Sequence, residues 1–258
     1  MNKHFDNSSF KFGYGFFETF RSENYQLIFF EEHMNRLNLS LRIFNFSPLT
    51  IENIQKEILK KLKNQKLKSA RIRITAYLND LNKTEIHYEI TPFKRTFPEK
   101  TKIKLAKAIL PHGFQLRKHK TTSYFLNYHE FRLAKDLGYD EAIFIDDKNH
   151  LLEGTRTNIF FIIYKNKNEK FKVITSPISC GILPGIGRKK VIKLLKDQGH
   201  DVEEKPFHIK NLVDVKEIFI VNSLNGVIPI YSFENLKFNP YHSLQIRRDF
   251  ENNFYKVY

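Results

Sequence analysis

The chain has 258 residues, 41% of them hydrophobic, and a formal charge of +15. This length is enough for one large domain or two modest ones, and the hydrophobic content permits a real core, which argues against disorder. We find no apolar run near the ~20 residues of a membrane helix and no signal-peptide core at the N-terminus. The single cysteine, Cys180, excludes an internal disulfide framework and thiol-rich zinc sites. We therefore expect a cytoplasmic protein without a metal.

The positive charge is densest between Lys56 and Arg73. Ile54, Ile58 and Leu62 interleave with these lysines at helical spacing, which predicts that the lysines lie on the solvated face of an ordinary helix. A basic nucleic-acid-binding protein stays as a distant alternative, supported by charge alone. We expect no specific nucleic-acid partner, since excess positive charge also suits anionic small molecules.

The first half of the chain alternates strands and helices. Residues 11–30 read as two strands joined by a turn at 22–24, and helices follow at about 31–44 and 50–65. Further strands are predicted near 70–78, 84–91 and 102–109. Pro111 and Gly113 mark a linker. These signals predict an N-terminal α/β domain over 1–110, a linker over 111–119 and a C-terminal α/β domain over 120–258.

The second half begins at Lys120, which precedes three good helix N-caps at 121–123. Apolar residues then recur at helical spacing and Gly138 ends the pattern; they are Tyr124, Tyr128, Phe131, Ala134 and Leu137. Strands are predicted at 141–145 and 158–164, and a terminal helix at 240–256. Glu153 lies between two apolar segments, so its carboxylate needs a partner, and a protonated pyridine nitrogen would be one.

A glycine-rich turn at 181–187 precedes an amphipathic helix. Free N–H groups and the positive end of the helix dipole make such a turn suitable for a phosphate, although many turns of this kind have no ligand.

Three motifs occur in a fixed order: Lys120-Thr-Thr-Ser-Tyr124, Gly138-Tyr-Asp-Glu-Ala142 and Glu153-Gly-Thr-Arg-Thr-Asn158-Ile-Phe160. Together they resemble the class IV, fold-type IV pyridoxal-phosphate enzymes, which include branched-chain and D-amino-acid aminotransferases and 4-amino-4-deoxychorismate lyase. The resemblance implies a mixed α/β fold of two domains, pyridoxal 5'-phosphate held at the domain interface, and a homodimer.

The same resemblance implies a role for individual residues. Lys120 would form the Schiff base with the cofactor and act as the acid and base, while Glu153 would keep the pyridine nitrogen protonated. Tyr124 would bond the phenolic oxygen, or pack as a core residue of its helix. The residues expected to bind the cofactor are Arg36, Lys120, Tyr124, Glu153, Thr157, Asn158, Ile186, Gly187 and Ser223.

Two departures from the family pattern affect the substrate. Tyr14 stands where the opening motif usually has Asp, and Ala76-Tyr77 replaces an Arg-Gly that helps to hold a substrate carboxylate. Candidate substrate residues are therefore Arg73, Asn222 and Asn225. The segment Asn222-Ser-Leu-x-Gly-x-x-Pro is similar to that of the lyases, which release pyruvate and give 4-aminobenzoate for folate synthesis. We expect a small anionic amine as substrate, with a branched-chain or D-amino-acid transaminase as the alternative.

Overall fold

The computed structural model describes residues 7–96, 98–164 and 171–255. The helices are α1 (Ser8–Phe12), α2 (Phe30–Ile43), α3 (Ile51–Asn64), α4 (Phe125–Asp136), α5 (Ile186–Asp197) and α6 (Tyr241–Phe254). The strands are β1 (Gly15–Glu23), β2 (Gln26–Leu27), β3 (Ala70–Leu78), β4 (Thr84–Pro92), β5 (Lys102–Leu110), β6 (Glu141–Asp146), β7 (His150–Gly154), β8 (Asn158–Tyr164), β9 (Phe171–Thr175), β10 (Asp201–Glu204), β11 (Phe207–His208), β12 (Glu217–Asn222), β13 (Gly226–Ile230), β14 (Ser232–Phe233) and β15 (Leu236–Lys237). Within these ranges, no helix has the length and apolarity that crossing a membrane requires. The mixed α/β class predicted from the sequence is confirmed.

Two compact units divide the chain. The first holds the described residues up to Arg95 together with 119–124, and the second holds the other described residues. The predicted boundary at 111–119 differs from this division. β5 pairs in parallel with β6, from Ile103 opposite Glu141 onward, so it belongs to the second unit. That pairing is not local in sequence, and a Pro-Gly turn after the strand gives no sign of it.

The first unit is built on a sheet with the strand order β2-β1-β3-β4. Along β3, alternate residues are buried, as expected of a half-buried strand. They pack with the apolar faces of α2 and α3 in one core. On α3 the buried residues are Ile54, Ile58 and Leu62, while Lys56 and Lys60 are exposed. The prediction of a solvated lysine face is thus confirmed.

The first hairpin is shorter on one side than predicted. Asn24 and Tyr25 both adopt left-handed conformations, with φ of 47° and 65°, and turn the chain after β1. β2 then has only two residues, and α2 already begins at Phe30. Two consecutive left-handed residues match the tight turn whose twist suits a hairpin.

Residues 119–124 pair with β1 through one antiparallel bridge between Thr121 and Phe16, and they do not start a helix. Phe17 N donates to Lys120 O, and Thr122 N donates to Gly15 O, each at 2.8 Å. On the other side of β1, a Cβ at Gly15 would lie 2.8 Å from Ala76 O of β3, so glycine allows these two strands to lie close together. The predicted N-caps at 121–123 therefore do not start the helix, because their backbone pairs with a strand. α4 begins only at Phe125.

α4 also differs from its predicted packing. Its buried residues are Glu130 and Ala134, whereas Tyr128 and Leu137 from the predicted apolar face are more than half exposed. Glu130 attaches the helix to β5 by accepting hydrogen bonds from Lys107 N and Ala108 N, both at 2.9 Å. A periodic pattern shows that a helix has an apolar face, but it does not show what covers that face.

A buried ion cluster joins α2 to β1 in the first unit; we call Glu18, His33 and Arg36 the Glu18 cluster. Glu18 Oε1 accepts from Arg36 Nε at 2.7 Å, and Oε2 accepts from Arg36 Nη2 at 2.8 Å. His33 Nδ1 lies 2.7 Å from Oε2, and both Glu18 and His33 are 1% exposed. Burial alone would raise the pKa of Glu18, but the charges and hydrogen bonds of Arg36 and His33 hold it well below its usual range.

The tautomer of His33 follows from this pairing. An ionised carboxylate can only accept, so Nδ1 carries the hydrogen and Nε2 has the lone pair. Burial lowers the pKa of His33, although Glu18 opposes the change, and the positive charges of Arg36 and Lys120 lower it further. His33 is therefore a neutral donor to Glu18.

We expect Glu18→Gln to lower the free energy of unfolding at pH 7 by about 3–5 kcal/mol, because it leaves Arg36, whose side chain is 12% exposed, without its anion. Urea denaturation measures this. The matched control is Glu57→Gln, whose half-exposed carboxylate pairs with Lys61 on the surface, and it should cost less than about 1 kcal/mol.

The Glu18 effect should also depend on pH in one direction. The folded pKa is below the unfolded value of about 4.3, so the stabilisation is complete above that pH and is lost as the pH falls further. The difference in the free energy of unfolding between the wild type and Glu18→Gln should therefore become smaller as the pH is lowered. A difference that is constant or widens would contradict the assignment.

Candidate functional site

In the first unit, two cations lie over one aromatic ring; we call Phe17, Arg73, Lys120 and Tyr124 the lysine cluster. Arg73 Cζ is 3.6 Å and Lys120 Nζ is 4.5 Å from the centroid of the Phe17 ring. The Tyr124 ring meets Phe17 edge-on at 5.2 Å between centroids, and Lys120 Nζ is 5.3 Å from the centroid of Tyr124. The negative faces of these rings stabilise the cations and fix where the lysine amine lies.

Arg73 is half-buried on β3, beside Lys120. Its Nε donates to Thr75 Oγ1 at 3.3 Å, and no carboxylate of the described residues lies within ion-pair distance of it. Burial lowers the pKa of Arg73, with Glu89 acting in the opposite direction. The neighbouring Arg71 differs, because its Nη1 pairs with Glu89 at 2.5 Å. Of these two arginines of β3, Arg73 is thus the one that no carboxylate of the described residues pairs with.

Two expected cofactor residues of this unit have contacts that the sequence did not indicate. Arg36 makes a two-pronged ion pair with Glu18, so its expected contact with a phosphate remains a prediction. Tyr124 lies outside α4, in the segment paired with β1, so the alternative of a core residue on that helix is wrong. A charged residue inside the apolar run Phe16–Phe20 was the available signal for the Glu18 cluster, since such a group requires a buried partner.

In the second unit, three donors surround the carboxylate of Glu153; we call Arg117, Glu153, Asn158 and Leu183 the Glu153 cluster. Arg117 Nη2 donates to Oε1 at 3.0 Å. Asn158 Nδ2 and Leu183 N donate to Oε2 at 3.2 and 3.1 Å. The pairing of β7 with β8 places Glu153 directly opposite Asn158. The carboxylate is 6% exposed and acts as an acceptor towards every one of these partners.

Arg117 is the functional candidate that sequence reasoning missed. It stands in the basic run Arg117-Lys-His-Lys120, where charge alone does not distinguish one residue from the next. Thr157, by contrast, was expected to bind the cofactor, but its hydroxyl donates to Glu141 Oε2 at 3.2 Å. That contact holds the turn between β7 and β8, and a cofactor role for Thr157 remains a prediction.

The N-terminus of α5 packs against the end of β12. Its N-cap is Gly185, without a side-chain cap, and its first turn holds no acidic residue. A Cβ at Gly187 would lie 3.0 Å from Val221 Cγ2 and 3.2 Å from the carbonyl carbon of Asn222. Glycine therefore allows close contact with the strand, and the helix start with Ile186 and Gly187 comes to lie beside Asn222 and the following Ser223.

The segment after β12 is a tight polar turn. Asn222 Oδ1 accepts from Leu224 N at 3.1 Å and from Asn225 N at 2.8 Å, so the side chain of Asn222 is occupied by its own turn. The carbonyl of Ser223 accepts from the Tyr255 hydroxyl at 3.0 Å, and its own hydroxyl has no hydrogen-bond partner among the described residues. Of this turn, Ser223 is the side chain best placed to serve a ligand.

Cys180 lies in an apolar cluster of the second unit and is 1% exposed. Burial raises the pKa of its thiol, and the charge of Asp146 acts in the same direction. The thiol therefore stays protonated at neutral pH and is a packing residue.

Known proteins are similar to this chain over most of its length. The family model of amino-transferase class IV matches residues 15–233. A protein of Methanocaldococcus jannaschii named "Putative branched-chain-amino-acid aminotransferase" is 30% identical over 240 residues, which cover 88% of this chain and 81% of the relative. The aminodeoxychorismate lyase of Vibrio harveyi is 32% identical over 92 residues, 36% of this chain and 32% of its own.

Among solved structures, one from Legionella pneumophila titled "Putative 4-amino-4-deoxychorismate lyase" superposes with a TM-score of 0.87 at 23% identity, covering 98% of this chain and 95% of that one. At this identity the likeness supports the fold alone. The family match over most of the chain shows the family as well as the fold, and it confirms the resemblance found in the motifs. The chain belongs to the class IV amino-transferase family of enzymes, whose cofactor is pyridoxal 5'-phosphate.

Proposed function

We propose that the protein is a lyase that converts 4-amino-4-deoxychorismate into 4-aminobenzoate and pyruvate. The single observation that carries this choice within the family is the turn Asn222-Ser-Leu-Asn-Gly-Val-Ile-Pro229, which resembles the lyases where the branched-chain enzymes usually have Gly-Thr. The Ala76-Tyr77 pair, in place of the transaminases' Arg-Gly, supports the same choice.

The chemistry of the residues fits the cofactor. A phosphate needs N–H donors and cations, and the start of α5 offers backbone N–H groups without a competing side-chain cap or acidic residue. We assign the phosphate to Ile186 N, Gly187 N, the Ser223 hydroxyl and Arg36. A protonated pyridine nitrogen needs a buried acceptor, and we assign this role to Glu153. Tyr124 would donate to the phenolic oxygen.

Lys120 is the residue that we propose to hold the cofactor covalently and to move the proton. Bound pyridoxal phosphate supplies an electron sink that makes the proton on the substrate carbon next to nitrogen acidic. Lys120 Nζ, when it is not bound to the cofactor, would take that proton. The rings of Phe17 and Tyr124 restrict the position of the amine, which favours transfer along one path.

The lyase reaction then needs little further chemistry from the protein. The bond between the ring carbon and the enolpyruvyl oxygen breaks, the ring becomes aromatic, and the leaving group needs a proton on its methylene carbon to become pyruvate. Lys120 carries the proton taken in the first step and can return it. Arg73, half-buried beside Lys120, would hold a substrate carboxylate with two parallel hydrogen bonds.

A class IV transaminase is the second candidate. The observation that favours it is the 30% identity with a relative named as a branched-chain enzyme over 88% of this chain. The same lysine and glutamate would serve both reactions, so the products discriminate between the two. Association into a homodimer is proposed on the family resemblance alone.

Borohydride reduction of the purified protein with its cofactor should place one pyridoxyl group per chain on Lys120, located by peptide mapping. Lys120→Ala should lose the label and lower turnover by about 10³-fold or more, since it removes both attachment and proton transfer. Lys118→Ala, two residues away, is the matched control and should keep the label. A label on another lysine of the wild type would overturn the assignment.

Incubation with 4-amino-4-deoxychorismate should release 4-aminobenzoate and pyruvate in equal amounts, measured by fluorescence and by a coupled reductase. When isoleucine or D-alanine is supplied with 2-oxoglutarate, the wild type should convert the amino acid into its keto acid no faster than Lys120→Ala does. Transamination without 4-aminobenzoate would reject the lyase and establish the second candidate.

Arg73→Gln should raise KM for the anionic substrate by about 10–100-fold with kcat changed only a few-fold, because a charge-assisted contact contributes about 1.5–3 kcal/mol. Arg71→Gln serves as the control, since Arg71 is paired with Glu89. Equal effects of the two variants would show that the general positive charge, and not Arg73, binds the substrate.

A further inference from the structure

Two histidines and an aspartate lie close together in the second unit, each at or near one end of a strand. We call His112, Asp146 and His150 the histidine cluster. His112 follows β5, Asp146 ends β6 and His150 begins β7. The Nδ1 atoms of His112 and His150 lie 2.6 and 3.1 Å from Asp146 Oδ2. One nitrogen or oxygen from each residue lies within 4.8 Å of the other two.

The carboxylate of Asp146 is fixed before any ligand arrives. Its Oδ1 accepts from Lys148 N at 3.0 Å and from His150 N at 2.8 Å, and the residue is fully buried. These bonds leave Oδ2 directed at the two imidazoles. The backbone of His112 is held as well, because its N–H donates to Asp147 Oδ1 at 3.1 Å.

The cluster is reachable from solvent, because the side chains of His112 and His150 are 30% and 21% exposed. A buried carboxylate acceptor with two partly open imidazoles differs from an exposed acidic group, which attracts ions without arranging them. Imidazole nitrogen with one carboxylate is a ligand set typical of zinc and its neighbours in the first transition row, and not of magnesium or calcium.

We propose that His112, Asp146 and His150 bind one divalent transition-metal ion of the zinc type. A metal about 2.1 Å from two ligands separates them by roughly 3.0 Å at a right angle and roughly 3.4 Å at the tetrahedral angle. The 3.1 Å between His150 and Asp146 is within this range. The 2.6 Å of the His112 contact is a hydrogen-bond length, and it needs to open by about 0.5 Å, which a partly exposed side chain can do.

Each imidazole has to present a nitrogen lone pair to the metal. The Nδ1 atoms of His112 and His150 lie at hydrogen-bond distance from Asp146 Oδ2, whereas a ligating Nδ1 carries no hydrogen, so the ring hydrogen is then on Nε2. Three protein ligands leave the remaining metal positions to water.

The metal ion would link two segments that an ion pair of the Glu153 cluster already links. Arg117 follows His112 along one segment, Glu153 follows His150 along β7, and these two residues form the ion pair of the Glu153 cluster at 3.0 Å. A metal at the histidine cluster would therefore restrain both the strand that presents Glu153 and the segment that presents Arg117.

The test uses untagged protein with its bound cofactor, freed of unbound cofactor and of metal by passage over a chelating resin. Titration with Co²⁺, followed by visible absorption and by elemental analysis after gel filtration, should give one ion per chain with Kd at or below about 10 μM. His112→Gln and His150→Gln should each weaken binding by about 100-fold or more. His129→Gln is the matched control, because its exposed ring stacks on Phe125 of α4 and lies outside the cluster.

A second readout is independent of cobalt spectra. Zn²⁺ should raise the melting temperature of the wild type and of His129→Gln, and it should leave the two cluster variants unchanged. A wild type that retains no ion after titration to millimolar Co²⁺ overturns the proposal, whether or not the variants fold. Binding that is equal in the wild type and both cluster variants overturns it too.

Discussion

The arrangement around Lys120 depends on two backbone hydrogen bonds between β1 and the segment 119–124. They bind Lys120 O and Thr122 N to the strand that carries Phe17, so the main chain of Lys120 is fixed before its side chain is considered. Three consecutive residues of β1 then have different tasks. Phe16 packs in the core, Phe17 gives the ring on which Lys120 and Arg73 lie, and Glu18 anchors α2 through Arg36. A shift of β1 by one residue would exchange the positions of the ring and the carboxylate.

Buried carboxylates accept backbone hydrogen bonds at several places in this chain. Glu217 accepts from His242 N and Ser243 N at the start of α6, and Glu141 accepts from Thr155 N in the turn after β7. Asp146 and Glu153 act in the same way at their own turns. Each carboxylate accepts hydrogen bonds from backbone N–H groups and so holds the turn, strand start or helix start that presents them. Three of the proposed functions, at Glu153, Arg36 and Asp146, use carboxylate clusters that also hold the fold together.

Local patterns predicted most of the elements but not their partners. The alternation in β3 and the apolar spacing of α2 and α3 gave bounds within a residue or two of the observed ones, because short-range periodicity determines both. The polar caps before α4 misled, since a strand more than a hundred positions earlier pairs with them. β5 was assigned to the wrong unit for the same reason. Of the proposed site, motif order indicated Lys120 and Glu153, which remain predictions, whereas Arg117 and the Glu18 cluster depend on contacts between distant segments.

Among the described residues, the chain leaves the first unit after Arg95 and returns to it for residues 119–124. During synthesis β1 emerges among the first strands, yet the segment that covers its edge at Gly15 and Phe17 emerges much later. Until then the growing polypeptide presents an open strand edge flanked by phenylalanines, the kind of surface that recruits other strands. Release of the nascent chain before residue 119, or cleavage after β4, would thus leave a sheet in which this edge of β1 is unpaired. Pairing of this edge of β1 therefore requires residues 119–124, which are synthesised after the other described residues of the first unit.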